Sequence, residues 1–160
     1  MRIVIMGNAG SGKSTLARRL AEARGLPVLG LDAIAFIDGP ERRPLADSVA
    51  EIERFIGRHP GWVVEGCYGD LIEAALAHGD RLIFLNPGVE ACVRHCRQRP
   101  WEPDKFETPE AQQAMLEPLI DWVRGYETRD DEFGLRRHRA IFAAFPGDKR
   151  EHVTTDYEES

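Results

Sequence analysis

The sequence predicts an α/β fold in three layers, with helices covering both faces of a parallel β-sheet. Three observations carry this reading. The chain opens on an apolar run, Arg2 to Met6, that stops at a glycine, as suits a strand buried on both faces. Strand-like and helix-like segments then alternate up to about Cys96, which is the pattern of parallel strands joined by crossover helices. A glycine-rich octapeptide, Gly7 to Ser14, occupies the first strand-to-helix junction.

Each element follows from its own pattern. From Lys13 a helix carries Leu16, Ala17, Leu20 and Ala21 as one apolar stripe, and Arg24-Gly25 stops it. Leu26 to Leu31 reads as the second strand, and the polar stretch Asp38 to Pro44 as a loop. A helix striped by Val49, Ile52, Phe55 and Ile56 comes next, then a third strand, Gly61 to Glu65. Asp70 is placed to cap a helix bearing Leu71, Ile72, Ala75 and Leu76, with Gly79 beyond its end. Leu82 to Leu85 is the fourth strand, and Pro87 to Cys96 a helix striped by Val89, Cys92, Val93 and Cys96.

The period is lost at Arg97. The segment to Phe106 mixes charge, aromatics and prolines. Thr108-Pro109 starts a helix with proline at its first position. Its apolar face is Met115, Leu116, Leu119, Ile120 and Val123, with an irregularity expected at Pro118. A last helix spans about Phe133 to Phe145, and Arg150 to Thr155 reads as a short edge strand. A chain of 160 residues is sized for one domain, here 1–160 with a lid at about 97–127. It removes roughly two-thirds of its unfolded surface from water and needs no covalent staple.

Composition narrows the function. Twenty-one Lys and Arg against 27 Asp and Glu leave a formal charge of -6, which argues against a general nucleic-acid partner. Three cysteines, Cys67, Cys92 and Cys96, without a C-x-x-C pair fit a reducing cytoplasm. Cys92 and Cys96 share a helix face, read as core-facing thiols, and His95 is expected to point away from them. No apolar stretch approaches the ~20 residues of a membrane span, and the opening run is too short for a signal peptide. A soluble, cytoplasmic protein is expected.

The octapeptide matches G-x-x-x-x-G-K-[ST] without departure. Glycines let the main chain turn sharply and bring N–H groups onto phosphate oxygens. The helix that follows adds its positive dipole end. The expected nucleotide-binding set is Gly7, Asn8, Ala9, Gly10, Ser11, Gly12, Lys13, Ser14 and Thr15. Lys13 is expected on the β- and γ-phosphates, and Ser14 on Mg²⁺. The motif is that of a P-loop, expected to bind a nucleoside triphosphate with Mg²⁺.

Three residues end strands at the ligand-binding edge: Asp32, Glu65 and Asn86. Asn86 is neutral and a poor second metal ligand. Glu65, followed by Gly66, is the candidate to join Ser14 at Mg²⁺ or to orient an acceptor. Asp32 is the candidate to fix or deprotonate an acceptor hydroxyl, with a helix N-cap as its alternative role. Of the cations Arg94, Arg97, Arg99 and Lys105, the helix-exit residues Arg97 and Arg99 are the candidates for transition-state charge. Arg129, His138 and Arg139 are weaker candidates, and Trp101 either stacks on a base or pins the lid.

With these residues in view, the P-loop, Leu31-Asp32, the run Trp62 to Tyr68 and the strand Leu82 to Leu85 resemble the small P-loop kinases, adenylate-kinase-like or shikimate-kinase-like. The resemblance covers roughly residues 1 to 100. The proteins so resembled include those labelled DNA topology modulation protein; the stretch Cys96 to Phe106, with Tyr126, Arg129 and His138-Arg139, is similar to a subgroup called AAA family ATPase or shikimate kinase. It implies a sheet ordered 2-3-1-4-5, ATP as donor and a lid after the fourth helix. Glu65-Gly66 matches the Asp-Gly pair of nucleotide kinases with a longer acid. The two nearby acids of shikimate kinases have only Asp32 and Asp38 as counterparts, and no separate AMP-binding insert lies between Ala33 and Trp62. The expected activity is transfer of the γ-phosphoryl group to a small-molecule acceptor. The alternative is a nucleotide-dependent regulator acting through a partner. No Asn-Lys-x-Asp run supports a GTPase.

Overall fold

The computed structural model describes residues 1–36 and 41–156. Asp38, and with it the start of the expected loop at 38–44, lies outside the described residues. Strands β1 (Arg2–Gly7), β2 (Val28–Gly30), β3 (Trp62–Gly66), β4 (Arg81–Leu85) and β5 (Asp148–His152) form one sheet in the order β2-β3-β1-β4-β5. Every pairing is parallel. The fold is the expected three-layer arrangement, and β1 lies at its centre.

The sheet's two faces follow from the two-residue period of a strand. Ile3 and Ile5 of β1 meet Leu16, Ala17 and Leu20 of α1 (Lys13–Arg24) on one face. Val4 and Met6 look the other way, into the larger cluster with Ile52 of α3 (Leu45–Arg58), Leu71 and Ile72 of α4 (Gly69–Leu76) and Ile141 of α8 (Leu135–Ala144). Burying each of the Ile, Leu, Val and Met side chains contributes about 1.5–3 kcal/mol. Helix α1 ends at Gly25, φ 66°, and the Leu26 N–H returns to the Ala21 carbonyl at 3.0 Å. Leu26 therefore belongs to the helix cap, which shortens β2 relative to the sequence expectation. Its pairing still extends past the strand, with Val63 N–H on Pro27 O and Leu31 N–H on Glu65 O, both 2.9 Å.

Other boundaries move for identifiable reasons. Asp32 opens a one-turn helix, α2 (Asp32–Ala35). Helix α4 begins at Gly69, so Asp70 sits in its first turn instead of capping it, and accepts from the Leu71 N–H at 2.8 Å. Helix α5 runs Val89–Gln98. The expected irregularity near Pro118 falls at Met115, which separates α6 (Pro109–Ala114) from α7 (Leu116–Arg124). Pro118 has no N–H for the carbonyl four residues back, at Ala114, so the helical ladder breaks there. Thr108 caps α6 by accepting from the Ala111 N–H at 3.0 Å, with Pro109 next in line.

Strand β5 starts two residues before the expected segment and pairs Asp148 with Arg81. It is a polar edge strand. Lys149 turns its ammonium onto the Phe142 and Phe145 carbonyls at the end of α8, at 2.8 and 3.0 Å, which suits a helix C-terminus. Helices α5 and α7 pack together through Cys92, Val93, Cys96, Ile120 and Val123, forming a third cluster that includes Ala9 of the phosphate-binding motif. Among the described residues, no helix is long and apolar enough to cross a membrane.

Phe84 is fully buried on β4 against His138 and Phe142 of α8, each with ring centroids 6.1 Å away. Phe84→Ala is expected to destabilise the fold by ~3–5 kcal/mol through lost transfer energy and a cavity. Urea unfolding should show a lower midpoint with an unchanged slope.

Candidate active site

The motif Gly7 to Ser14 wraps from the end of β1 into the start of α1. Two of its glycines are conformationally required. Gly10 has φ 81°, and a β-carbon there would stand 2.4 Å from the Cys92 carbonyl and 2.9 Å from the Cys96 sulfur. Gly12 has φ 98° and serves as the N-cap of α1 without any side-chain cap. The first amides of α1 are therefore left to whatever enters the loop. Lys13 folds its ammonium back onto the Asn8 carbonyl at 2.6 Å.

The loop is braced from outside. The Asn8 side chain, 2% exposed, donates to the Val123 carbonyl of α7 at 3.2 Å and accepts from the Ala9 N–H. His95 donates through Nδ1 to the Gly10 carbonyl at 2.6 Å. The sequence placed His95 only as pointing away from Cys92 and Cys96, and gave no sign of this contact. Three residues beyond Cys92, the ring is brought to the loop by the close approach of α5.

Across the sheet edge stands Glu65, 8% exposed, on the strand beside β1. Its carboxylate accepts from the Ser14 hydroxyl at 3.4 Å. Gly30, on the neighbouring strand, gives it room: a β-carbon there would lie 3.0 Å from Glu65 Oε1. Burial raises the Glu65 pKa, and Asp32 adds to this, while Lys13, the Ser14 hydrogen bond and Lys105 draw it back. Hydroxyl and carboxylate oxygens side by side suit a hard cation such as Mg²⁺, which commonly takes one or two protein ligands and keeps several waters. The donor set thus fits the metal that the motif implies.

Asp32 lies in the same cleft. Tyr68 donates its hydroxyl to Asp32 Oδ1 at 2.6 Å, and Lys105 Nζ stands 4.0 Å from Oδ2. Burial and then the Asp32 charge push the Tyr68 phenol well above its ordinary value. Burial likewise pushes the Cys67 thiol up to about 12, so it is an unreactive neighbour. The cleft has a volume of about 820 Å³, and its lining includes Lys13, Ser14, Asp32, Glu65, Arg99 and Lys105.

The structure separates the two arginines at the helix exit. Arg99 follows the last turn of α5 and lines the cleft. Arg97, two residues earlier and so on another side of the helix, donates to Glu117 at 2.9 Å and is not among the lining residues. Asn86 donates to Glu151 at 3.1 Å. Trp101 donates to the Phe106 carbonyl at 3.1 Å, holding its own segment together. Arg129 stacks 4.2 Å over the Trp122 ring, and Arg139 lies 3.4 Å from Glu151. Lys105, one of the four cations considered in the sequence, lines the cleft, as do Tyr68 and Trp122, which no sequence pattern singles out: Tyr68 stands in the irregular turn after β3, and Trp122 is outside the apolar stripe read for α7.

His138 is fully buried. Burial pushes it down to about 4, from 6.5. Between these values the unfolded chain binds a proton that the folded chain does not. This group's contribution therefore falls as pH drops from 6.5 to about 4, by about 3 kcal/mol in all. Urea unfolding across that window should show the wild type losing more stability than His138→Gln.

Comparison with known proteins places this geometry. Residues 3–106 match the model of the family described as AAA domain, AAA_33. An adenylate kinase of Mycobacterium sp. (strain MCS) is 30% identical over 112 residues, covering 58% of this chain and 61% of that protein. The chain thus spans less than two thirds of that relative. Among solved structures, a sugar kinase from Janibacter sp. HTCC2649 superposes with a TM-score of 0.54 at 14% identity, covering 94% of this chain and 83% of the other. A gluconokinase from Sinorhizobium meliloti 1021 gives 0.53 at 20% identity, covering 97% and 83%. At these identities the structural likeness concerns the fold. With the phosphate-binding motif, the sheet order and a family match over more than half of its length, this chain belongs to the AAA_33 family of AAA domains as a small P-loop kinase-like protein.

Proposed function

We propose that the protein is an ATP-dependent phosphotransferase that moves the γ-phosphoryl group to a hydroxyl of a small-molecule acceptor. One observation supports this above the others. A phosphate-binding loop, a carboxylate beside its Ser14 and a second carboxylate at Asp32 face one cleft. A protein that only bound nucleotide would not need the second carboxylate.

The roles follow from position. Main-chain amides of residues 10 and 12–15 take the phosphate oxygens, and Lys13 leaves the Asn8 carbonyl to meet the β- and γ-phosphates. Ser14 and Glu65 hold Mg²⁺, which neutralises phosphate charge when bound. Asp32 Oδ2 orients the acceptor hydroxyl and receives its proton, while Tyr68 keeps Oδ1 fixed. The acceptor oxygen forms its bond to the γ-phosphorus as the bridging bond to the β-phosphate breaks and ADP leaves. Arg99 and Lys105 bring positive charge to the moving group, in a lid comprising residues 97–127. Arg97 joins them only if the segment rearranges and Glu117 releases it. The domain is the single unit 1–160, working in the cytoplasm.

Calorimetry with MgATP should show Lys13→Ala weakening binding by ~10–100-fold, the loss of charge-assisted hydrogen bonds. Wild-type protein that fails to bind MgATP would remove the proposal. Asp32→Asn should keep ATP affinity while lowering acceptor-dependent ADP release by ~10²–10⁴-fold, read against a pooled set of sugars, nucleosides and hydroxy acids. Tight ATP binding with no acceptor-dependent ADP from that set would instead support a nucleotide-dependent regulator.

A further inference from the structure

The turn between β3 and α4 carries the cleft residues Cys67 and Tyr68, yet it is held largely by the far end of the chain. The Cys67 carbonyl accepts from His138 Nε2 at 2.9 Å, and the Gly69 N–H donates to the Glu132 carbonyl at 2.8 Å. Arg137 pairs with both Glu132 and Glu73, clasping the same turn from α8 to α4. A β-carbon at Gly69 would lie 2.8 Å from the Arg137 side chain and from the Glu132 carbonyl. Segment 132–138 is thus pressed directly onto the turn.

His138 is the buried centre of this contact. A carbonyl can only accept, so Nε2 carries the hydrogen. The other ring nitrogen, Nδ1, is then an acceptor and takes the Tyr126 hydroxyl at 2.7 Å. Tyr126 is 2% exposed and follows α7, whose Val123 carbonyl binds Asn8 of the phosphate loop. The ring is enclosed by Tyr126 and Phe84, with centroids 5.4 and 6.1 Å away. Both polar ends of the imidazole are satisfied in one tautomer, as a buried polar network requires. Its depressed proton affinity, set mainly by burial, keeps that tautomer neutral through the ordinary pH range.

We propose that His138 is a positioning residue for the acceptor side of the cleft. Through the Cys67 carbonyl it fixes the turn that delivers the Tyr68 hydroxyl to Asp32, and Tyr126 sets its tautomer. The next residue along the chain from Cys67 is Tyr68, whose hydroxyl holds Asp32 at 2.6 Å. A rotation of the peptide at Cys67 therefore moves the phenol on which that carboxylate depends. Val123 and Tyr126 flank the end of α7, so the phosphate loop and the Asp32 side are both tied to one short stretch of chain. That this serves an acceptor rests on the phosphotransferase reading above; the hydrogen-bonded geometry does not.

NMR of ¹³C/¹⁵N-labelled protein tests the inference without an acceptor. Wild-type His138 is expected to show the Nε2–H tautomer at neutral pH, and Tyr126→Phe to shift its Nδ1 resonance. His138→Leu should move the Asp32 carboxyl and Tyr68 phenol carbons toward their positions in a Tyr68→Phe and an Asp32→Asn reference, respectively. His138→Gln, which keeps an N–H donor, should restore much of that shift. MgATP affinity by calorimetry should stay within about twofold in all three variants, as for a distant site. An Nδ1–H tautomer in the wild type would overturn the inference, as would unmoved Asp32 and Tyr68 signals in folded His138→Leu. Should His138→Leu not fold, unmoved His138 and Asp32 signals in Tyr126→Phe overturn it equally. Failure of wild-type protein to bind MgATP would instead count against the phosphotransferase reading, leaving the spectral outcome to stand by itself.

Discussion

A loop that binds phosphate through its main chain must keep several N–H groups free for the ligand, so its own hydrogen bonds, such as Ser11 N–H and Lys13 Nζ on the Asn8 carbonyl, hold only part of its shape. The rest of this fold answers that constraint. The loop is fixed through outward contacts: the Asn8 side chain on Val123, the His95 ring on the Gly10 carbonyl, and Gly10 seated against the backbone of Cys92. Strand β1 supplies a root buried from Ile3 onward and α1 an N-terminus without a side-chain cap. Helices α5 and α7, which add nothing to the sheet, thereby become part of the phosphate site.

The same division explains what the sequence reveals. Elements whose residues face a single apolar environment announce themselves by period. The β1 run, the α1 stripe and the β4 run are legible because Ile3, Leu16 and Leu82 are chosen by burial alone. The octapeptide is legible for a different reason: a specific backbone path and a specific charge leave few residue types admissible. Strand β5 is harder to read. It lies on the sheet edge, and Lys149 spends its length capping α8, so no alternation marks it.

The Asp32 side of the cleft is the least legible part. Asp32 and Glu65 stand out as acids at strand ends, but their partners come from places without pattern. Tyr68 reaches Asp32 from 36 residues away, and Lys105 comes from a segment with no regular structure. His138 looks like one more polar residue in a charged helix until the fold buries it. Arg97 and Arg99 look equivalent in sequence and differ only because α5 ends between them.

The fit of Gly10 beneath α5 has a consequence for treating the octapeptide as a portable unit. Its backbone path depends on a neighbouring helix approaching to van der Waals distance, with an imidazole and a carbonyl at set places. Grafting those eight residues onto another strand–helix junction would carry over the lettering but not the scaffold that keeps the amides splayed. In this protein the transplantable module is larger: the first strand and helix together with the distant helical pair that leans on their junction.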